Sequence, residues 1–304
     1  MAVPLGPTID NLSHPLKPPY ILPGGVREEG VFKILIERPE IPGTKVTVNR
    51  VTALPTDATF HARDSMLPDA ANNTNTFDFI AQRVGSRMEF DRYDQMGTSN
   101  IANQVYEHLK LKVLDVILKM IREFYNGDGA PPNVAGLASL LVPSQTITAT
   151  GGLVNVNEVL KLIGMVTAGT GIAAPGPADA LFMSVGTFEK LFLMQQSFGS
   201  LFTFLPDSDL GGRLVPLFAG HVPTYVGQVS EAVGSPATTS IYALRLKGPS
   251  RVRIVTAGDP KNFGITIART ESAKTSNWSW DVHAYVTVVV PEDESLAAIN
   301  GITV

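Results

Sequence analysis

Cysteine is missing from all 304 residues. That excludes disulfides, thiolate metal centres and a cysteine nucleophile, and with them much of the enzyme repertoire. Charge is sparse: Asp, Glu, Lys and Arg make up 17% of the chain and leave a net charge of −4, with an isoelectric point near 5.8. A chain so balanced does not grip nucleic acid through a broad basic face, so any contact with DNA is weak and local. No apolar run approaches the roughly 18 residues that cross a bilayer, and the N-terminus lacks the basic-then-apolar layout of a signal peptide. The expectation is a protein made and used in a cytoplasm, with no membrane partner. Catalytic spacings are missing as well. His14, His61, His108, His221 and His283 are scattered, with no HExxH or HxH among them, and no GxSxG nucleophile elbow occurs. The reading carries no catalytic residue, no metal and no cofactor.

What is present is a large apolar fraction, 44% of the chain, enough for one large core or two intimate ones. Residues 1–25 hold six prolines and end in Gly24-Gly25, so they form neither a helix nor an inner strand. They read as an extended arm. Ile9, Leu12, Leu16, Tyr20, Ile21 and Leu22 make that arm too apolar for a solvated tail.

Two β-branched runs follow, VFKILIE (31–37) and KVTVNRV (45–51), which read as strands around the turn PEIPG. Residues 52–82 are polar and without sustained period, and excursions of that length are usually functional or disordered. RVGSRMEFDRYDQ (83–95) alternates in its middle and reads as the returning strand, so 45–95 is expected to be one projecting two-stranded loop. Asp91 and Asp94 sit among Arg83, Arg87 and Arg92, which reads as a salt-bridged strand face.

From Thr98 to Tyr125 the period becomes helical. Ile101, Val105, Leu109, Val113, Val116, Met120 and Phe124 form one stripe, and Leu111, Leu114, Leu118 and Ile121 a second. Thr98 or Ser99 can cap the start, and Asp115–Lys119 and Lys119–Glu123 are i,i+4 pairs. About 28 residues at 1.5 Å each make a rod of roughly 42 Å. The helix ends in FYNGDGAPPNVAGLASLL, where Asn126-Gly127 fits a left-handed cap and Pro131-Pro132 blocks resumption. A phosphate loop is excluded, because these glycines follow a helix and contain no lysine. An EF-hand is excluded because Asp128 stands alone.

Further on, VNVNEVLKLIGMV (154–166) reads as a helix, ALFMSV (180–185) as a buried strand, GTFEKLFLMQQSF (186–198) as a short helix and 213–227 as strand, turn, strand. In PDSDLGGR, Asp207 and Asp209 are open to three readings, a divalent-ion loop, a carboxylate pair or plain turn residues. Three strands are expected in the tail: 240–246, 251–257 and 278–290. In the last, Trp278, Trp280, Val282, Ala284, Val286, Val288 and Val290 share one face. A long helix on a long strand implies an elongated α+β plate.

The order of arm, long polar loop, FDRYDQ, long helix ending in FYNGDG and NVAGLASLL resembles the tailed-bacteriophage major capsid proteins of the Hong Kong 97-like fold. So do NVNEVLKLIGMV, ALFMSVGTFEKL and the ending HAYVTVVVPEDESLAAINGI. The resemblance implies an α+β subunit with an N-terminal arm (1–30), strands and an extended E-loop (31–97), a peripheral domain with a long spine helix (98–152 plus 241–304) and an axial domain (153–240). It implies hexamers and pentamers closing an icosahedral shell around double-stranded DNA that a packaging motor drives in. Inter-subunit contacts are then expected at Ile9, Leu12, Tyr20, Phe60, Phe77, Phe79, Asp207 and Asp209. Portal, scaffolding and decoration proteins are the further partners, and the virion the location. No long charged helical segment suggests a fused scaffold. Crosslinking members join a loop lysine to a neighbour's asparagine, whereas between Pro39 and Asn100 this chain has only Lys45, at the base of the excursion. An encapsulin-type compartment is the alternative within the fold, and a soluble enzyme the alternative outside it.

Overall fold

In the computed structural model the described residues are 36–37, 45–51, 74–91, 101–166, 178–198, 201–207, 213–227, 238–248, 250–257, 264–271 and 277–303. The arm 1–30, Phe60, the helix caps Thr98 and Ser99, Arg92, Asp94 and Asp209 lie outside them. Strand β1 (Ile36–Glu37) is followed by β2 (Lys45–Val51), β3 (Thr74–Ile80), β4 (Gln82–Asp91) and the long helix α1 (Ile101–Asn126). Then come α2 (Leu137–Leu140), β5 (Thr146–Thr148), α3 (Val156–Met165), β6 (Ala180–Met183) and α4 (Val185–Phe198). The remaining strands are β7 (Phe202–Asp207), β8 (Arg213–Phe218), β9 (Val222–Val226), β10 (Thr238–Leu244), β11 (Arg253–Ala257), β12 (Thr266–Glu271), β13 (Asn277–Val289) and β14 (Leu296–Thr303).

Strand β13 organises the first sheet. Along one edge it pairs antiparallel with β4 over ten residues, from Asn277↔Asp91 to Val286↔Gln82. Its other edge is shared by β12, opposite Trp278–His283, and β11, opposite Tyr285–Val289, with β1 outside β11. The expected alternation is present: Trp280, Val282, Ala284, Val286, Val288 and Val290 are buried on one face, against the stripe Val105, Leu109, Val113, Val116, Met120 and Phe124 of α1. The second expected stripe divides. Ile121 is buried while Leu111 is 61% exposed, because at 100° per residue Leu111 lies behind the stripe that meets the sheet. Lys119 and Glu123 form the expected i,i+4 bond at 2.6 Å.

The segment 83–95 does not return to β2. The partner of β2 is β3, in register from Lys45↔Ile80 to Val51↔Thr74. TNTFDFI was unread as a strand because Asn and Asp are disfavoured in strands and mask the period of two carried by Phe77 and Phe79. Arg87 binds Glu89 (3.2 Å), Asp281 (3.7 Å) and Ser279 Oγ (2.9 Å), so the ionic face runs across to β13.

The end of α1 also differs from its expected cap. The Gly127 N–H still donates to the Glu123 carbonyl at 2.8 Å, and the glycine with positive φ is Gly129, at 72°. Gly127 is required by crowding: a Cβ there would collide with the carbonyl oxygens of Val134 and Glu123. The chain turns back so that Gly136 N–H reaches Gly127 O at 2.9 Å. Asp128 holds the turn by accepting from Ala130 N–H (3.0 Å) and Asn133 Nδ2 (3.1 Å), and these bonds, Asn133 first, pull its pKa below the usual carboxylate value.

The second sheet has seven strands in the order β5-β14-β10-β6-β9-β8-β7. Its centre is buried on both faces. Phe182, Tyr242, Leu244, Leu296 and Ala298 face the core of α1, while Leu181, Met183, Ala243, Ala297 and Ile299 face α3 and α4. Asn155 caps α3 by accepting from Asn157 N–H at 2.9 Å. Tyr125, at the end of α1, meets Tyr242 (ring centroids 6.0 Å) and Phe182 (6.5 Å), which ties the helix to this sheet as well as the first.

Candidate assembly surfaces

Two hairpins carry apolar surface away from these cores. In the β2–β3 ribbon the side chains of Lys45, Thr47, Asn49, Thr76, Asp78 and Ile80 share one face, as alternation requires. Asp78 receives Lys45 Nζ at 2.8 Å and the Thr47 hydroxyl at 2.6 Å, and these bonds, Lys45 first, hold its carboxyl below the usual range. Thr76 Oγ1 donates to Asn49 Oδ1 at 3.2 Å. The opposite face is apolar, with Val46 across from Phe79 and Val48 across from Phe77.

Its root is docked. Phe79 is 7% exposed and packs with Val255 and Val289 on the side of the first sheet away from α1. Further out, Phe77 is 39% exposed, and Ile80 on the polar face 60%. The two rings chosen from the sequence therefore differ. Phe77 keeps part of its ring exposed, whereas Phe79 is buried within its own chain against Val255 and Val289, which follows from its lying opposite Val46 at the base of the ribbon. Lys45 is at that base, as expected.

The β7–β8 hairpin repeats the pattern. Phe202 and Phe218 oppose one another in the ladder and are buried beneath α4, with Phe188 5.1 Å from Phe202. Outward, the pairs become Phe204 with Pro216 and Pro206 with Leu214. Phe204 is 47% exposed, Leu214 63% and Phe192 of α4 43%, with the Phe192 and Phe204 rings 6.5 Å apart. None of these was singled out from the sequence, although Phe202 and Phe204 alternate in FTFLPD. Asp207 ends β7 opposite Arg213.

Among the described residues no group of three or more His, Cys, Asp or Glu could hold a metal, and no helix is long and apolar enough to cross a membrane. His283 is half-buried on β13. Burial, then the charge of Arg83, lowers its pKa, and Asp281 opposes them.

The sequence matches no family model and no curated protein. Solved structures do match. The holo-SrpI encapsulin complex of Synechococcus elongatus is similar over 90% of this chain and 87% of its own, with a TM-score of 0.66 at 16% identity. The capsid of a native GTA particle matches over 90% of both chains (TM-score 0.62, 10% identity). That of the myovirus phage XM1 does the same at 0.58 and 10%. This chain has the Hong Kong 97-like capsid fold. At identities this low the likeness is one of α+β fold.

Proposed function

We propose that the protein is a structural subunit that assembles with copies of itself into hexamers and pentamers of a closed icosahedral shell, as a phage major capsid protein enclosing double-stranded DNA. The observation that carries this reading is the extent of the likeness, about nine tenths of both chains in each capsid comparison. The two hairpins supply what such a subunit needs, apolar surface on projections, since a lone two-stranded ribbon is marginal in water until it lies on something. In this reading the ribbon is the E-loop, α1 the spine of a peripheral domain, and the β7–β8 hairpin with Asp207 part of an axial domain facing the symmetry axis of a capsomer. Subunits form in the host cytoplasm and end in the virion, with portal, scaffolding and decoration proteins as further partners.

A second reading is favoured by one observation, the TM-score of 0.66 with an encapsulin. A compartment of that type would enclose a protein cargo and stay in the cytoplasm. Negative-stain microscopy of purified protein, with assay of nuclease-protected nucleic acid, tests both. Closed particles that carry protected DNA when produced with a packaging system support the capsid. Closed particles that hold only protein move the assignment to the compartment, and a small monodisperse species ends both.

A further inference from the structure

Beside the root of the ribbon lies a cavity of about 230 Å³. Met120 and Glu123 of α1 form one wall, and residues 132–134, in the turn after the helix, form another. The third is made by Gln82, Arg83, Val84 and Gly85, four consecutive residues of β4. Successive side chains of a strand point to opposite faces, so a cavity touching four in a row runs along the strand's edge. That edge is open: β4 pairs with β13 on one side, and among the described residues no strand pairs with it on the other. An open edge leaves every second main-chain N–H as an unpaired donor.

Two properties decide what fits. The floor is apolar, since Val84, Met120, Val134 and Val286 line it and all four pack in or against the core beneath α1. An apolar cavity of roughly 150 Å³ takes a benzene ring, so this one, half as large again, takes a ring with a short arm. The mouth carries an unmatched positive charge. Lys119 is bound to Glu123 at 2.6 Å, whereas Arg83 is exposed and has no ion-pair partner among the described residues. Val84 packs toward α1, so Arg83, one residue earlier, leaves the strand on the opposite face, and its charge belongs to the mouth and not to the floor. That charge is not neutralised in place, because it acts with burial to lower the pKa of His283.

We infer that this cavity binds a small monocarboxylic acid with a compact apolar body, the body against Met120 and Val134 and the carboxylate at the mouth, between Arg83 and the open N–H groups of β4. A carboxylate only accepts hydrogen bonds, an arginine only donates them, and the bond is strengthened when both are charged. A cation would meet like charge at the mouth. A neutral ligand would bury the same apolar area but leave the Arg83 charge without a counterpart. One surplus charge suits one carboxylate. Every lining residue belongs to a single copy of the chain, so the site goes beyond the shell reading and does not depend on it. Its occupant would join the exit of the ribbon, just after β3 ends at Ile80, to the end of α1.

The probe is phenylpropionate, with phenylpropanamide and phenylpropylamine as its neutral and cationic counterparts, and binding is read by equilibrium dialysis against the full-length protein, assembled or not. The acid should bind saturably at one site per chain and about tenfold or more tighter than the amide, as a charged hydrogen bond allows, and the amine should not bind. Arg83→Gln, at an exposed position, should weaken the acid about tenfold or more and leave the amide unchanged, a split that a merely structural effect would not produce. Val84→Phe, which fills the cavity from β4, should remove binding of both, with circular dichroism to check its fold. Hydrogen exchange locates the site without any variant: the acid should slow the amides of 82–85 and 133–134 and leave those of β12 unchanged. Acetylglycylphenylalanine carries the same group at the end of a chain and should bind more weakly than the free acid; tighter binding would overturn a free acid as the occupant. Absence of saturable binding up to about 10 mM, equal affinity for acid and amide, or acid binding indifferent to Arg83→Gln would each overturn the inference.

Discussion

Replacing Phe79 with alanine should undock the ribbon and leave the subunit folded. The ring is 7% exposed and sits in a small cluster with Val255 and Val289, separate from the two large cores. Truncating a buried Phe to Ala costs about 3–5 kcal/mol. The lower figure applies here, because the half-buried Val46, Val48 and Leu140 at the rim can close part of the gap. At about 1.4 kcal/mol per factor of ten, ~3 kcal/mol raises the undocked population about 140-fold. The loss falls on the ribbon, since a two-stranded hairpin is marginal alone and few of its contacts reach the rest of the chain. Hydrogen exchange reads this directly. Amides of β2 and β3 should lose about two orders of magnitude of protection, those of β13 should keep theirs, and circular dichroism should be nearly unchanged. Unchanged protection in the ribbon would show that Phe79 is not its anchor. An equal loss in β13 would show that the cluster belongs to the global core.

Val113→Asp, at a fully buried position of α1, should cost several kcal/mol and give insoluble protein, with Leu114→Asp milder because Leu114 is only partly buried; a normal particle yield from Val113→Asp would contradict the packing. Leu214→Ser, at a site 63% exposed, should leave melting unchanged to within about 0.5 kcal/mol yet reduce assembly, and assembly at the wild-type rate would remove the β7–β8 hairpin from the contact set. The pKa of His283 is depressed below 6.5, so the unfolded chain takes up a proton first as pH falls. Stability should therefore be full above pH 6.5 and decline below it until the folded-state pKa is passed, and His283→Gln should flatten that slope in denaturant titrations. Lys45 is held by Asp78 at 2.8 Å at the ribbon's base, so mature particles boiled in detergent should run as one band near 32.5 kDa; a ladder abolished by Lys45→Ala would show covalent joining.

The sequence was most legible where a period lasts longest. Helix α1 was expected at 98–125 and spans Ile101–Asn126, and β13 was expected at 278–290 and spans Asn277–Val289. Strand β14 went unread for the opposite reason. Leu296, Ala297, Ala298 and Ile299 are all buried, and a strand covered on both faces has no alternation to detect. Pairing was less legible than element type: 83–95 was recognised as a strand, but its partner lies almost 200 residues away. The candidate surfaces follow the same rule. That Phe77 and Phe79 matter could be seen locally; that one is covered and the other is not depends on where β11 and β13 pass beneath the ribbon. Phe192 and Phe204 become neighbours only when α4 folds over β7.

Folding and association draw on different parts of the same hairpins. In the ribbon, the pair nearest the sheet, Val46 with Phe79, is docked, while Phe77 of the next apolar pair is exposed. In β7–β8, Phe202 with Phe218 is buried, while Phe204 and Leu214 farther out are exposed. Alternation explains why one face is apolar along its whole length, but it does not explain why that face continues past the point where the subunit covers it. Folding alone would favour polar residues there, because exposed rings on a projecting strand invite aggregation. Their retention at the outer positions of two hairpins, on two different sheets, is what a chain requires if its projections must lie on other copies. The root pairs then set whether the hairpin stands, and the outer pairs set what it stands against.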